Sequence, residues 1–212
     1  MTRRILIVTA VQAEADAIGT LHGTVVVAGG IGRTNAAAAV TSAILSDGPF
    51  AWIINAGVAG ALPNSNLALG DIVVANKCVY VEEGLQTPGG FQNIGEMGFS
   101  LGNFEGNEVP VDSWMLDQLT SLGTVGSIAT VATCSGTDRQ AKLLKCRTQC
   151  LCEAMEGAAV VHTARKFGIQ AIEIRAISNT TGDRNSQEWD LALALKNLGS
   201  SVNKAITALR AH

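Results

Sequence analysis

The chain has 212 residues, of which 47% are hydrophobic and 16% are charged. This length is sufficient for one sizeable core, so we predict a single domain over residues 1–212. The formal net charge of -3 and the lack of a run rich in Lys and Arg argue against a protein that binds nucleic acid or a membrane surface, because both partners require a basic surface. A small neutral or weakly charged ligand fits this composition better.

The apolar runs and the cysteines predict the compartment. No stretch approaches the roughly 20 apolar residues that a membrane span requires, so we expect a soluble, cytoplasmic protein. The five cysteines are an odd number and do not suggest a disulfide framework, so reduced thiols are expected. Cys146, Cys150 and Cys152 are close in sequence, but they lack a CxxC pair and only His162 is near them. We therefore predict no metal site and no cofactor.

Apolar runs of strand length alternate with helical patterns along the chain. Several of the strand segments are β-branched and almost continuously apolar, as expected for strands covered on both faces. The predicted strands are 5–10, 24–28, 51–55, 71–75, 127–132 and 170–177. The predicted helices are 13–19, 33–45, 113–122, 138–145, 155–167 and 187–210. This order predicts an α/β fold, a three-layer α/β/α sandwich around a central mixed, largely parallel sheet.

A glycine-rich segment at 84–110 interrupts both patterns and is predicted to be a long loop. Loops of this length inside a compact domain are usually functional or mobile. The segment carries Phe91, Phe99 and Phe104, three of the five Phe residues of the chain. Two interpretations remain open: the rings attach the loop to the core, or the loop covers an apolar part of a ligand.

Two glycine-rich turns follow predicted strands. The turn at 29–35 resembles a dinucleotide-binding fingerprint, but Asn35 replaces its last glycine and no Lys-Ser/Thr pair follows. We interpret it as a tight turn between a strand and a helix. The small residues at 55–60 permit close approach of the backbone, either to a ligand or to a neighbouring helix.

Glu14, Glu156 and Asn179 lie at the ends of three different predicted elements. Glu156 is the only charged residue between Ala154 and Ala164. Each carboxylate taken alone is most often a solvent-exposed residue at a helix start, where the helix dipole favours it. The ends of such elements converge on one crevice in an open α/β sheet. The three residues together therefore predict a hydrolytic site in which one acid activates water and another holds hydroxyl groups.

The chain resembles the purine nucleoside phosphorylase and nucleosidase superfamily, in the branch that contains methylthioadenosine/S-adenosylhomocysteine nucleosidase. The segment 173–180 and the central glycine-rich segment with its Phe residues are also similar to the futalosine hydrolase family of the alternative menaquinone pathway. The resemblance extends over nearly the whole chain, and its segments occur in the same order. The matching segments are 7–14, 30–32, 55–60, 70–73, 155–159 and 174–179.

The resemblance implies roles at the sugar. Glu14 is expected to be the base that polarises the attacking water, and Glu156 is expected to bind the ribose hydroxyls. Met155 is expected to pack against the sugar, while Ala56 and Gly57 line the sugar pocket through their backbone. A purine nucleoside and water are the implied reactants, and a homo-oligomer, a dimer or higher, is the implied assembly.

The resemblance also implies roles at the base. Ser178 and Asn179 are expected to face the purine, and Arg175 is expected to steady their loop. Nucleosidases that release adenine carry Asp where this chain has Asn179. An amide cannot protonate N7, but it can donate to O6 while it accepts from a protonated N7. This arrangement favours hypoxanthine over adenine as the leaving group.

The futalosine hydrolase likeness implies a substrate with a carboxyphenyl-ketone arm on the ribose. Phe91 and Phe99 are expected to stack on this arm. The residue that meets the arm carboxylate remains open, and the candidates are His22, Arg139 and Arg184.

Three alternatives to hydrolysis of a 6-oxopurine nucleoside remain. Methylthioadenosine/S-adenosylhomocysteine nucleosidase activity is one. Purine nucleoside phosphorolysis is the second, although it needs several cations around phosphate and only Arg33 is suitably placed. A nucleoside-binding protein without activity is the third, and it has no need of a base such as Glu14.

Overall fold

The structure is a computed structural model that describes residues 4–211, so the two ends of the predicted domain 1–212 lie outside the described residues. The strands are β1 (Ile5–Thr9), β2 (Thr24–Ala28), β3 (Trp52–Ala61), β4 (Ile72–Tyr80), β5 (Gly84–Thr87), β6 (Gly90–Asn93), β7 (Glu108–Pro110), β8 (Thr124–Thr130), β9 (Cys152–Ala154) and β10 (Gln170–Thr180). The helices are α1 (Gln12–Ile18), α2 (Arg33–Asp47), α3 (Ser113–Leu119), α4 (Asp138–Thr148), α5 (Gly157–Lys166) and α6 (Leu191–Arg210).

The main sheet has eight strands in the order β10-β4-β8-β9-β3-β1-β2, with β7 paired to β4. Parallel pairings join β1 to β2 and β3, β3 to β10, and β8 to β4 and β9. Antiparallel pairings join β4 to β10, β3 to β9, and β4 to β7. The prediction of an α/β fold with a mixed, largely parallel central sheet is therefore confirmed. In addition, β10 pairs with β3 as well as β4, which closes five strands into a ring.

The helices pack in two groups around this sheet. α1 and α3 contact α6, whereas α2 contacts α5. β1 is buried along its whole length, and β3 is buried at every position except Val58. Continuous apolar strands of this kind are typical of a sheet covered on both faces. Within residues 4–211, none of the helices has the length and apolar character needed to cross a membrane.

The prediction of one long loop at 84–110 is wrong in part. β5 and β6 form a hairpin in this segment, and β7 adds to the edge of β4. The hairpin turns at Pro88 and Gly89, and the Thr87 hydroxyl accepts from the Gly89 backbone N–H. Gly and Pro are favoured in such turns because of the backbone angles that they adopt. The short strands escaped prediction because their glycines hide the alternation of apolar and polar residues.

Two predicted helix starts are also wrong. The helix predicted from 155 begins at Gly157, because β9 pairs with β3 and β8 as far as Ala154 and the chain needs two residues to turn from this strand into α5. The helix predicted from 187 begins at Leu191, because the Asp190 side chain accepts from the Leu193 backbone N–H and caps it there. Met155 and Glu156 therefore lie in the connection between β9 and α5 rather than within a helix.

Candidate active site

Glu14 lies in the first turn of α1, immediately after β1, and is 3% exposed. Its Oε2 atom accepts from the backbone N–H groups of Ala10 (2.9 Å) and Val11 (3.2 Å). Its Oε1 atom accepts from the Val58 N–H of β3 at 2.9 Å. Amides at a helix start lack partners within the helix, so they hold an anion well. The carboxylate is fixed on the protein interior, which excludes the interpretation of Glu14 as a solvent-exposed residue.

Arg175 lies in the middle of β10 and is 1% exposed. Its Nε atom donates to Glu173 Oε1 at 2.8 Å. Its Nη2 atom donates to Asn55 Oδ1 at 2.6 Å and to Glu156 Oε2 at 3.2 Å. These bonds join β10 to β3 and to the start of α5. The resemblance implied that Arg175 steadies the 178–179 loop, whereas its side-chain contacts here are with the two carboxylates and with β3.

The charge of Arg175 is compensated by the carboxylates around it. Burial lowers the pKa of Arg175, but the neighbouring Glu173, Glu156 and Glu14 outweigh this effect and raise its pKa above the ordinary value. A buried cation needs such partners, because the desolvation of an isolated charge is very unfavourable. Arg175 therefore stays charged close to Glu14 and Glu156, the two carboxylates that were predicted to be catalytic.

Glu156 lies directly before α5 and is 4% exposed. Its Oε1 atom accepts from the Gly32 N–H at 3.0 Å, and its Oε2 atom accepts from the Met155 N–H at 3.3 Å. The glycine-rich turn after β2 thus binds a side chain of the protein. Gly32 has φ +92°, a conformation that favours glycine. Sequence reasoning missed this contact because the two residues are far apart in the chain.

Gly57 of β3 lies between Glu14 and Arg175. A Cβ atom built at Gly57 would lie 2.7 Å from Glu14 Oε1 and would collide with Arg175 Nη1. The adjacent Ala56 is fully buried. The absence of a side chain at Gly57 therefore keeps both charged groups in place, and the glycine-rich segment 55–60 permits close approach of side chains from α1 and β10.

Gly57→Ala is expected to lower kcat roughly 10- to 100-fold, since the added methyl group displaces Glu14, and displacements of about 1 Å at a site have effects of this size. Gly89→Ala is the matched control. Its Cβ would meet only the Thr87 hydroxyl, at 3.7 Å, and it lies in the β5–β6 turn. Steady-state kinetics and circular dichroism of both variants check this expectation. Equal kcat values in the two folded variants would contradict it.

Ser178 and Asn179 lie near the end of β10, which extends to Thr180 and so beyond its predicted end at 177. The pairing with β3 shifts register between Ile177 and Asn179. Ser178 Oγ donates to Asn179 Oδ1 at 2.9 Å, and Asn179 Nδ2 donates to the Thr180 carbonyl at 2.9 Å. Each end of the amide keeps capacity for one further hydrogen bond.

Asn179 lines a cavity of about 300 Å³ at the end of β10. Trp189 forms one wall, and the guanidinium of Arg184 lies 4.8 Å from the centre of its ring system. The other lining residues are Gly60, Cys134, Ser135, Gly136, Glu153 and Gln187. The lining combines polar groups with an aromatic ring, a combination typical of small-molecule sites.

The predicted aromatic residues lie apart from the two carboxylates. The Phe91 ring lies 4.3 Å from the Arg147 guanidinium and lines a neighbouring cavity of about 530 Å³. That cavity shares Ser135 with the one at Asn179. Phe99 is 67% exposed. Phe104 packs edge-on against His162, so this ring attaches the glycine-rich segment to α5.

The three candidates for the arm carboxylate are widely separated. Arg184 lines the Asn179 cavity. Arg139 is exposed on α4, and His22 is exposed just before β2. Because β1 and β2 are parallel, His22 lies at the edge of the sheet opposite Glu14. Met155 is half-buried and packs against a second apolar cluster that includes Leu62.

Among the residues that the structure describes, no group of three or more His, Cys, Asp or Glu side chains is arranged to hold a metal ion. Burial raises the pKa of the Cys150 thiol to about 11, so this sulfur stays protonated. Arg33 forms ion pairs with Glu82, at 3.6 Å, and with Glu83.

Comparison with known proteins gives the family. A model of the phosphorylase superfamily matches residues 15–211. The futalosine hydrolase of Streptomyces coelicolor is 30% identical over 97% of this chain and 96% of its own length. The 5'-methylthioadenosine/S-adenosylhomocysteine nucleosidase of Shewanella putrefaciens is 31% identical over 81% of this chain and 75% of its own.

A solved structure shares the fold. The futalosine hydrolase of Helicobacter pylori superposes with a TM-score of 0.79 at 18% identity and covers 97% of both chains. At this identity the likeness concerns the fold alone, whereas the family model and the relatives above match the sequence itself. The chain belongs to the phosphorylase superfamily.

Proposed function

We propose that the protein is a single-domain N-glycosidase that hydrolyses futalosine to hypoxanthine and dehypoxanthine futalosine. One observation carries this proposal: Glu14 and Glu156 are both buried around Arg175 and Gly57, and Asn179 follows on the same strand as Arg175. In this proposal Glu14 activates the water, Glu156 binds the sugar and Asn179 binds the base. The names of the curated relatives support nucleoside hydrolysis.

Glu14 is proposed as the base that deprotonates water. Two amide donors occupy Oε2, whereas Oε1 accepts from Val58 N–H alone among the described contacts. A carboxylate oxygen has two lone pairs, so Oε1 can accept a water proton as well. Because three backbone amides hold the carboxylate, its direction is set before the substrate binds, and the attacking water is oriented toward the anomeric carbon.

Glu156 is proposed to bind the ribose hydroxyls, with Met155 against the sugar. Cleavage of an N-glycosidic bond passes through an oxocarbenium-like sugar, as in glycoside hydrolysis generally. A carboxylate at the hydroxyls stabilises this state more than the ground state, because positive charge develops on the ring. The Gly32 amide and Arg175 hold Glu156 in position for this role.

Asn179 is proposed to stabilise the departing base. Its Nδ2 atom has one further proton to donate to O6, and Oδ1 has one further lone pair to accept from a protonated N7. Ser178 faces the base with it and orients the amide. Adenine presents an amino donor at position 6, which this donor cannot satisfy, so hypoxanthine is the favoured leaving group.

Water is favoured over phosphate as the nucleophile. The ion pairs of Arg33 with Glu82 and Glu83 neutralise the one cation that the sequence suggested for phosphate. Glu14 at the attack position would also repel a dianion. A nucleoside-binding protein without activity is disfavoured, because it has no use for a buried carboxylate with an open acceptor position. Methylthioadenosine/S-adenosylhomocysteine nucleosidase activity is the second candidate, and the Shewanella relative favours it.

The assembly, the pathway and the compartment are part of the proposal. We propose a homo-oligomer, since Leu85 and Phe99 of the glycine-rich segment are exposed apolar residues that a partner subunit can cover. Phe91 and Phe99 are proposed to stack on the aromatic arm of the ribose. A role in menaquinone biosynthesis follows from futalosine as the substrate. The five free cysteines support a reducing, cytoplasmic compartment.

Product analysis tests the reaction. The purified protein is incubated with futalosine, its 6-amino analogue and methylthioadenosine, each with and without phosphate. We expect hypoxanthine and a free reducing sugar from futalosine, with no sugar phosphate when phosphate is present, and slower release of adenine from the other two. Formation of a sugar phosphate would show that the reaction is phosphorolysis and not hydrolysis. A clear preference for either adenine compound would replace futalosine by the second candidate.

A further inference from the structure

Glu153 of β9 lies in the cavity of Asn179, yet the sequence did not single it out. Gly60 of β3 pairs with Asn179 of β10 on one side and with Glu153 on the other. The three residues therefore form one row across adjacent strands. Neighbouring strands lie about 4.8 Å apart, so the backbones of Asn179 and Glu153, which are two strands apart, are separated by roughly twice that distance. A flat base can lie between their side chains. Because Gly60 has no side chain, the Asn179 amide can lean over it toward β9, with Nδ2 3.1 Å from where a Gly60 Cβ would stand. Gly60, Asn179 and Glu153 all line the cavity of about 300 Å³.

The Glu153 carboxylate is held in one orientation. Oε1 accepts from the Ser135 backbone N–H at 2.7 Å, and Oε2 accepts from the Ser135 hydroxyl at 2.7 Å. Glu153 is 5% exposed, and no counter-cation is paired with it among the described contacts. Each oxygen retains a second lone pair that can point into the cavity. A buried carboxylate without a cation is unfavourable unless further donors reach it, so a donor on the ligand has a ready partner.

We propose that the Glu153 carboxylate accepts a hydrogen bond from the N1–H group of a 6-oxopurine. Glu153 would then be a second specificity-determining residue of the base pocket, in addition to Asn179. This assignment rests on the proposed function. Hypoxanthine presents N7, O6 and N1–H in sequence along one edge. Asn179 meets N7 and O6, and Glu153 at the other end of the row accepts from N1–H. Adenine has an unprotonated N1, and its lone pair would face the Glu153 oxygens.

The electrostatic environment of Glu153 favours binding of a ligand N–H group. Burial raises the pKa of Glu153, the two bonds from Ser135 oppose this rise, and the negative charge of Glu82 adds to it. Cys134 and Arg184 also line the cavity. A ligand N–H stabilises the ionised form, because it replaces part of the lost hydration. The carboxylate therefore gains more from a 6-oxopurine than a neutral acceptor would.

Glu153→Gln is the most direct test, because the position of the amide NH2 group that it introduces can be inferred from the Ser135 contacts. The Ser135 backbone N–H requires an oxygen at the Oε1 position, so the amide NH2 takes the place of Oε2. This NH2 donates to the Ser135 hydroxyl and into the cavity, where it suits adenine N1. We expect the ratio of hypoxanthine affinity to adenine affinity, measured by calorimetry, to fall roughly 10- to 100-fold, as for loss of a charged hydrogen bond.

Glu108→Gln is the matched control. Glu108 is an exposed carboxylate on β7 that forms an ion pair with Lys77 and does not line the Asn179 cavity. We expect its affinity ratio to equal that of the unmodified protein. A folded Glu153→Gln protein with an unchanged ratio would overturn the assignment of Glu153, while hydrolysis of futalosine by the unmodified protein would leave the proposed function standing. Lack of futalosine hydrolysis by the unmodified protein would overturn both.

A ligand-side measurement needs no variant and so does not depend on its folding. 1-Methylhypoxanthine lacks the N1–H donor but keeps N7 and O6. We expect it to bind the unmodified protein at least roughly tenfold more weakly than hypoxanthine, since the Glu153 oxygens are then left without a donor. Equal binding of the two bases would overturn the assignment.

Discussion

Glu14→Ala is expected to lower kcat for hypoxanthine release from futalosine by roughly 100-fold or more, the usual effect of removing a general base. The physical reason lies in the three amide donors that fix the carboxylate and leave one acceptor position on Oε1. KM is expected to change little, because Glu14 acts on water rather than on the nucleoside. Stopped assays of free hypoxanthine measure both constants.

Asp16→Ala is the matched control for this variant. Asp16 lies on the same helix, is exposed, and accepts from the Gln12 side chain at 2.7 Å. We expect nearly normal kcat from it. Added formate is a second check, because a small carboxylate that enters the space left in Glu14→Ala can restore part of the activity. A folded Glu14→Ala protein with unimpaired turnover would refute the role of Glu14 as the base.

Asn179→Asp is expected to change which base is released. A carboxyl group at this position can donate a proton to N7, which an amide cannot. The Thr180 carbonyl, which now accepts from Asn179 Nδ2, would face a carboxyl oxygen and so favour its protonated form. We expect the ratio of kcat/KM for futalosine to that for its 6-amino analogue to fall by roughly 100-fold or more, the range seen where a polar group of the substrate loses its partner.

Asn76→Asp is the matched control. Asn76 is exposed on β4, and its Oδ1 atom accepts from the Ser127 hydroxyl at 3.2 Å, as Asn179 Oδ1 accepts from Ser178. The same substitution therefore occurs in a similar hydrogen-bond setting outside the site. We expect no change in the ratio there. If both variants keep the preference of the unmodified protein, Asn179 does not determine the released base.

Some features of the fold follow from short stretches of sequence. The positions of β1 and β2 follow from continuous apolar runs, and that of α2 follows from an Ala-rich run after a glycine-rich turn; these elements agree closely with the predicted ranges. Glu14 and Glu156 were predicted to converge because they lie at the ends of different elements of an α/β sheet, and the structure brings both close to Arg175. Their chemical roles stay predictions. The charged Glu173 and Arg175 in an otherwise apolar strand were a signal for a buried ion pair that sequence reasoning did not use.

Other features depend on contacts between distant parts of the chain. β9 has three residues, too few for a periodic pattern, and it forms only because β3 and β8 offer their edges. The same pairing puts Glu153 in one row with Gly60 and Asn179. The bond from the Gly32 amide to Glu156 likewise joins residues 124 positions apart. No local propensity encodes these contacts.

The α/β class and the mixed sheet follow from the sequence alone, and so does the choice of two acids and one amide as candidate site residues. These depend on hydrophobic periodicity and on residue type, which are local properties of the chain. The fold adds the ion pair of Arg175 with Glu156, the space that Gly57 leaves beside Glu14, and the position of Glu153 in the cavity of Asn179. Strand order and register set these distances, and both result from packing of the whole sheet.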